Sequence, residues 1–246
     1  MSFTVTVLGC DGSYAAPGGA CSGYLLRTGS TSVWLDAGPG TLANLQRHVP
    51  LTDVDAVVVT HVHPDHCLEL PVVRNALRYI LNRSGLRVIT TRDVRDLVEH
   101  ISSGAEPTFS WEVVSDGSEA QVGDLTFRFV RSDHPVETLA VRVTGEGRTL
   151  VYSADTGARF DPSALTAHGS GADLALIEAT LPTGEEDTVQ HLSARQAGAM
   201  GTALGARRLL LTHLKPGSDA AARQGEAEAA FAGPVGLAVL HHSYEV

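Results

Sequence analysis

The sequence predicts an α/β protein, a four-layer αββα sandwich of two mixed β-sheets packed face to face and covered outside by helices. Three observations carry that expectation. Short apolar runs recur along the chain, each bounded by Gly, Pro, Asp or Asn, and several alternate with stretches at helical spacing. Hairpin-like pairs of runs at 23–36 and 125–153 speak for antiparallel pairing and against the alternative, one doubly wound parallel sheet. No linker rich in Gly, Pro or Ser separates two composition regimes, so residues 1–246 are expected to form a single domain.

FTVTVLG, GYLLRTG and TSVWLDAG are expected as three strands, the last ending at the turn residues Gly38, Pro39 and Gly40. A helix from Leu42 to His48 precedes a strand over 56–60. Helices follow at 70–83 and 93–102, where Leu, Val and Ile fall three and four apart. The stretch 109–153 is strand-rich (FSWEVV, DLTFRFVRS, LAVRVTG, RTLVYSAD), with turns at Asp116-Gly117 and at 145–147. The remainder alternates strand and helix: DLALIEA, an Ala-rich helix after His191, RRLLLTH, an Ala/Glu helix near 219–231, and VGLAVL.

Of the 246 residues, 43% are hydrophobic, enough to bury a sizeable core and to exclude a disordered chain. A run of ~18 apolar residues is missing, as is a basic start followed by a long apolar stretch, so neither a membrane span nor a signal peptide is expected and the expected compartment is the cytoplasm. Cys10, Cys21 and Cys67 lie in no CxxC spacing and are expected as reduced thiols. The 18 basic against 28 acidic residues give a net charge of −10 with the cations scattered, which argues against a long nucleic acid as partner.

The chemistry concentrates in His61-Val62-His63-Pro64-Asp65-His66, directly after the strand ending at Thr60. Imidazole and carboxylate suit zinc, iron or manganese, and HxHxDH is expected by chance about 0.001 times in a chain of this composition. Alternate residues His61 and His63 can grip one ion, while Pro64 turns the chain so that Asp65 and His66 face a second. A divalent ion needs about four to six donors, so other ligands must come from elsewhere. Candidates stand at the ends of later strands: His134 after FRFVRS, Asp155 after LVYS and His213 after RRLLLT. The two oxygens of Asp155 could bridge both ions.

With HxHxDH, His134, Asp155 and His213 in that order, the chain resembles the metallo-β-lactamase-fold hydrolases over essentially its whole length. The resemblance implies two divalent metal ions, zinc with manganese or iron as alternatives. His61, His63 and His134 would hold one, Asp65, His66 and His213 the other, and Asp155 both. The segments Ile177-Glu178-Ala179-Thr180 and His191-Leu192-Ser193-Ala194, the latter beginning 22 residues before His213, resemble the RNase Z-like branch, which includes tRNA 3′-processing endonucleases and class II-like cyclic nucleotide phosphodiesterases. That likeness implies phosphodiester cleavage assisted by His191, oriented by Glu178, with Asp65 orienting or deprotonating the attacking water. The branch usually has His where Ile177 stands, and only 20 residues separate His134 from Asp155, no room for a long tRNA-binding arm. The segment 65–71, with Glu69, is closer to actinobacterial cyclic nucleotide phosphodiesterase-like proteins. A small, cyclic-nucleotide-type phosphodiester is therefore the expected substrate. A tRNA-processing-like ribonuclease and a lactone or ester hydrolase on the same centre stay open.

Plainer roles accompany these. His48, His100 and His168 sit near expected helix ends, where histidine caps or is solvated. His241 and His242 are expected at the surface or a pocket rim, and Cys67 as a small buried hydrophobe. Lys215, the one lysine, could reach a phosphate oxygen or simply be solvated. The glycines near Leu8-Gly9-Cys10-Asp11-Gly12-Ser13 could line the pocket by close backbone approach. Leu70, Val73, Leu77, Ile80 and Leu81 are expected to pack inward, with a homodimer seam as the alternative. His191 could be a core histidine satisfied by Glu178.

Overall fold

A computed structural model describes residues 2–166 and 171–246; His168 lies outside the described residues. Two seven-stranded sheets form the centre. The first contains β1 (Thr4–Gly9), β2 (Gly23–Arg27), β3 (Ser32–Leu35), β4 (Ala56–Val59), β5 (Leu86–Thr90), β6 (Phe109–Val113) and β14 (Ser243–Glu245), in the order β14-β1-β2-β3-β4-β5-β6. The second contains β7 (Glu119–Val122), β8 (Leu125–Arg131), β9 (Leu139–Gly145), β10 (Arg148–Tyr152), β11 (Leu174–Glu178), β12 (Leu209–Thr212) and β13 (Val235–Leu237), in the order β13-β12-β11-β10-β9-β8-β7. The pairs at the β14 and β7 ends are antiparallel and those from β3 to β6 and from β10 to β13 are parallel, so both sheets are mixed.

Strict alternation fills the layers. Tyr24, Leu26, Val33, Leu35 and Val58 of the first sheet meet Phe127, Val141, Leu150, Leu176 and Leu210 of the second in the central core. Their sequence neighbours Leu25, Trp34 and Val57 point outward beneath α1 (Thr41–Leu45), α3 (Leu70–Asn75) and α4 (Arg92–Ser102). On the other side Ala175, Ile177, Leu209 and Leu211 pack with Leu165 of α5 (Ser163–Thr166) beneath α6 (Ala194–Ala203) and α7 (Ala220–Glu228). Burial of both faces explains why these strands appear as continuous apolar runs. The helix after His191 starts with a capping box in which Ser193 and Gln196 bond each other's backbone amides.

The expected four layers are present, with local departures. The helix expected at 70–83 stays α-helical only through Asn75 and widens into a π-helical turn over Ala76–Ile80, closed by Leu81 N–H donating to Ala76 O. Widening shifts the inward face: Leu70, Val73 and Leu77 are buried, but Ile80 is 80% exposed and Leu81 39%, contrary to the expected inward packing of both. The run VGLAVL forms a strand only over Val235–Leu237. Among the described residues, no helix is long and apolar enough to cross a membrane.

Candidate functional site

The seven residues expected as ligands converge where the strands of both sheets end. His61 follows β4, Asp65 and His66 lie on α2 (Pro64–Cys67), His134 follows β8, Asp155 follows β10 and His213 follows β12. Pro64 at the start of α2 makes the turn that separates His63 from His66. Three residues in left-handed backbone conformation, Asp36 (φ 57°), Ala154 (φ 49°) and His213 (φ 55°), bend the strand ends here, a local strain that the packing around them must hold.

Asp155 divides the cluster. Its Oδ2 lies 3.6 Å from His61 Nε2 and 3.8 Å from His134 Nε2, and His134 Nε2 is 3.1 Å from His63 Nδ1. Its Oδ1 lies 3.3 Å from His66 Nε2 and 3.5 Å from His213 Nε2, and His213 Nε2 is 3.2 Å from Asp65 Oδ2. Ligand atoms of His61, His63, His134 and Asp155 fall within 4.8 Å of one another, as do those of Asp65, His66 and His213. His61 Nε2, His66 Nε2 and Asp155 Oδ1 are buried without a hydrogen-bond partner. Buried polar atoms are normally satisfied, so convergent orphaned lone pairs on imidazole and carboxylate fit a divalent cation. This His/Asp cluster is capable of binding metal.

Two buried carboxylates aim the imidazoles. Asp36 accepts from Thr60 N–H at 2.8 Å, Thr60 O–H at 3.1 Å, His66 Nδ1–H at 2.8 Å and Tyr152 O–H at 2.9 Å. His61 Nδ1–H donates to Thr60 Oγ1 at 3.0 Å, so the Nε2 atoms of both histidines face inward. Glu178 accepts from Thr156 N–H at 2.8 Å, His191 Nδ1–H at 2.8 Å and Thr180 O–H at 2.6 Å, and Thr180 Oγ1 receives His213 Nδ1–H at 2.8 Å. His134 Nδ1–H donates to Gln190 O at 3.1 Å. Such outer contacts fix tautomer and ring orientation.

Charge follows from this packing. Without a cation in the cluster, burial opposes protonation of His66, but Asp155 and Asp36 outweigh it and hold its pKa well above the usual imidazole range, so a cation would bind there by displacing the Nε2 proton. Burial likewise opposes ionisation of Asp155, which His213 and His66 reverse, keeping it ionised. Burial lowers His191 while the Glu178 carboxylate raises it, with a net position of about 9.

His191 is bonded to Glu178, and a ring nitrogen lies within 4.8 Å of ligand atoms of Asp155 and His213. Its ring stacks on His213 with centroids 5.6 Å apart. Ile177 faces the helix layer, opposite to Glu178, so the residue at that position takes nothing from the cluster. Gly12 passes so close to His213 that a Cβ would stand 2.6 Å from its carbonyl oxygen, and Ser13 N–H donates to Asp65 Oδ2 at 2.8 Å. Glu69 accepts from Gly40 N–H at 2.6 Å and braces the 38–40 turn. Lys215 pairs with Glu185 at 3.5 Å, and Cys67 is fully buried with its thiol pushed up to about 12 by burial. His100 is exposed in the last turn of α4, whereas His48 and His241 bond each other at 3.0 Å.

Asp36, Thr180 and Tyr152 were not foreseen. Asp36 alone carried a signal, a carboxylate ending an apolar strand just before Gly38. An Asp36→Ala variant would strand four donor groups of three residues in the interior. It is expected to weaken divalent-metal binding by about 10- to 100-fold, measured by competition with a chelator, and to lower the melting temperature. Wild-type affinity would show that other contacts aim His66.

Residues 31–214 match the family described as the β-lactamase superfamily domain. The chain belongs to that family. A protein of Mycobacterium tuberculosis described as uncharacterized is 33% identical over 259 residues, covering 100% of this chain and 93% of its own. The probable metallo-hydrolase YhfI of Bacillus subtilis is 29% identical over 239 residues that cover 95% of this chain and 96% of YhfI. Its crystal structure superposes with a TM-score of 0.90 at 27% identity over 100% of both chains. A ribonuclease Z of Halorubrum lacusprofundi is 27% identical over 295 residues, covering 95% of this chain and 94% of its own.

Proposed function

We propose that this member of the β-lactamase superfamily is a metal-dependent phosphodiesterase acting on small nucleotide-type diesters in the cytoplasm. The observation that carries the reading is His191, fixed by Glu178 and placed at the His/Asp cluster beside His134, Asp155 and His213. His61, His63, His134 and Asp155 would hold one divalent ion, and Asp65, His66, His213 and Asp155 a second, zinc with manganese or iron as alternatives. Two such ions supply Lewis acidity, polarising phosphoryl oxygens and lowering the pKa of water toward about 7.

The chain's own residues do the rest. Asp65, its Oδ2 fixed by the Ser13 amide, orients or deprotonates the attacking water. Glu178 accepts the hydrogen bond of His191 Nδ1–H and favours the protonated ring, so Nε2–H can pass its proton to the departing oxygen and leave a neutral imidazole still bonded to Glu178. Two features support a small substrate over tRNA. The stretch between His134 and Asp155 contains only the β9–β10 hairpin, and the net charge of −10 disfavours a long polyanion. The ribonuclease Z relative supports phosphodiester chemistry in general. Asp133, Arg159, Asp187 and Gln190 bring to the adjoining groove hydrogen-bonding groups that a nucleotide would use and a simple acyl ester or lactone would not.

The direct test incubates the metal-loaded protein with bis(p-nitrophenyl) phosphate and 3′,5′-cyclic AMP beside p-nitrophenyl acetate and a lactone, with added Mn²⁺ or Zn²⁺. Hydrolysis of the phosphodiesters in preference to the carbon esters is expected. Turnover of the lactone alone would reverse the reading.

A further inference from the structure

Beside the cluster lies a groove of about 750 Å³, within the range of about 300–1,000 Å³ common for small-molecule sites. Its walls are the residues that flank the site: Asp133 and Pro135 around His134, Ala158 and Arg159 beyond Asp155, and Val189 and Gln190 before His191. We propose that this groove is the nucleoside subsite, which accepts an uncharged, hydroxyl-bearing group of the substrate and disfavours a second phosphate. The inference rests on the phosphodiesterase reading above.

The electrostatics of the groove point that way. Both oxygens of Asp133 are occupied: Oδ1 accepts from Gln190 Nε2 at 2.8 Å and Arg159 Nη2 at 3.1 Å, and Oδ2 from the Arg159 backbone N–H at 3.2 Å and Nε at 3.3 Å. Arg159 is thereby neutralised yet stays 79% exposed, with N–H groups that Asp133 does not use. Asp187, also in the wall, adds a negative charge, so a second anionic group would meet repulsion rather than a clamp. Neutral hydroxyl and ring acceptors match the remaining guanidinium donors, and Val189, 54% exposed, offers an apolar surface for the flat face of a base.

The placement also restricts direction. The walls are one to four residues from His134, Asp155 and His191, and in the proposed mode a substrate with its phosphate at the cluster would lay its nucleoside over Ala158 and Arg159. Ala158 is exposed, so a larger side chain there fills the groove without entering the core.

The test compares Ala158→Trp and Arg159→Met with the wild-type full chain, metal-loaded and with metal content verified. KM and kcat are measured for 3′,5′-cyclic AMP and for methyl p-nitrophenyl phosphate. Equilibrium dialysis measures adenosine 5′-monophosphate, adenosine 3′,5′-bisphosphate and inorganic phosphate. Each variant is expected to raise KM for cyclic AMP and the dissociation constant of the monophosphate by about tenfold, the effect of losing one hydrogen bond to a charged donor or the room for the base. Methyl p-nitrophenyl phosphate and inorganic phosphate should change by a smaller factor. The bisphosphate should bind the wild type more weakly than the monophosphate. Equal losses on both substrates through kcat, unchanged monophosphate binding, or tighter bisphosphate binding would each overturn the subsite. A wild type inert toward every phosphodiester would overturn the phosphodiesterase reading by itself. The dialysis arm then still decides the groove: weaker monophosphate binding by the variants supports it, and equal binding removes it.

Discussion

Asp155→Ala is expected to lose at least one divalent ion by elemental analysis and to cut turnover by about a thousandfold or more, since disturbing an outer contact alone costs about 10- to 100-fold. The expectation comes from position. Oδ1 and Oδ2 face different imidazole sets, so a single truncation removes a candidate ligand atom from both. It also removes the carboxylate that raises His66 and His213, leaving four closely packed histidine rings without their shared counter-charge. Asp155→Asn, of the same shape, should fail in the same way because charge and the second oxygen are both lost. Full retention of metal by either variant would remove Asp155 from the ligand set.

His191→Ala is expected to behave differently: metal content unchanged and kcat down about 100- to 1,000-fold, the usual scale for a missing proton donor. Its Nδ1 is committed to Glu178, and its side chain is 19% exposed, so it stands at the edge of the cluster rather than in its dry centre. A substrate with a good leaving group, such as bis(p-nitrophenyl) phosphate, should suffer less than cyclic AMP, because a p-nitrophenolate departs without a proton. That contrast is one a merely structural histidine would not produce. Loss of metal and turnover together would make His191 a ligand, as its nearness to Asp155 and His213 also permits.

What the sequence made legible was governed by locality. HxHxDH stands out because its donors are packed into six residues, and His134, Asp155 and His213 because each ends an apolar strand run. Asp36 and Tyr152 meet across 116 positions, and Thr180 reaches His213 across 33, so neither contact leaves a local pattern. Strand length and polarity hid other elements. β7 contributes only Ala120 and Val122 to the core, β14 is a three-residue edge strand, and β5 is short and begins with the half-buried Leu86 and Arg87. The π-helical turn was invisible because apolar spacing through Ile80 and Leu81 continues a helical rhythm that the backbone does not follow.

The donors are drawn from both slabs of the sandwich: His61, His63, Asp65 and His66 from the first, His134, Asp155 and His213 from the second, with the Tyr152–Asp36 bond crossing between them. A cation seated there acts as a rivet. Sliding one slab by an ångström would spoil the grip, so resistance to chelation should serve as a gauge of how well the slabs are aligned. Cavity-forming substitutions in the distant interface, such as Phe127→Ala, should loosen metal retention in step with their thermal destabilisation.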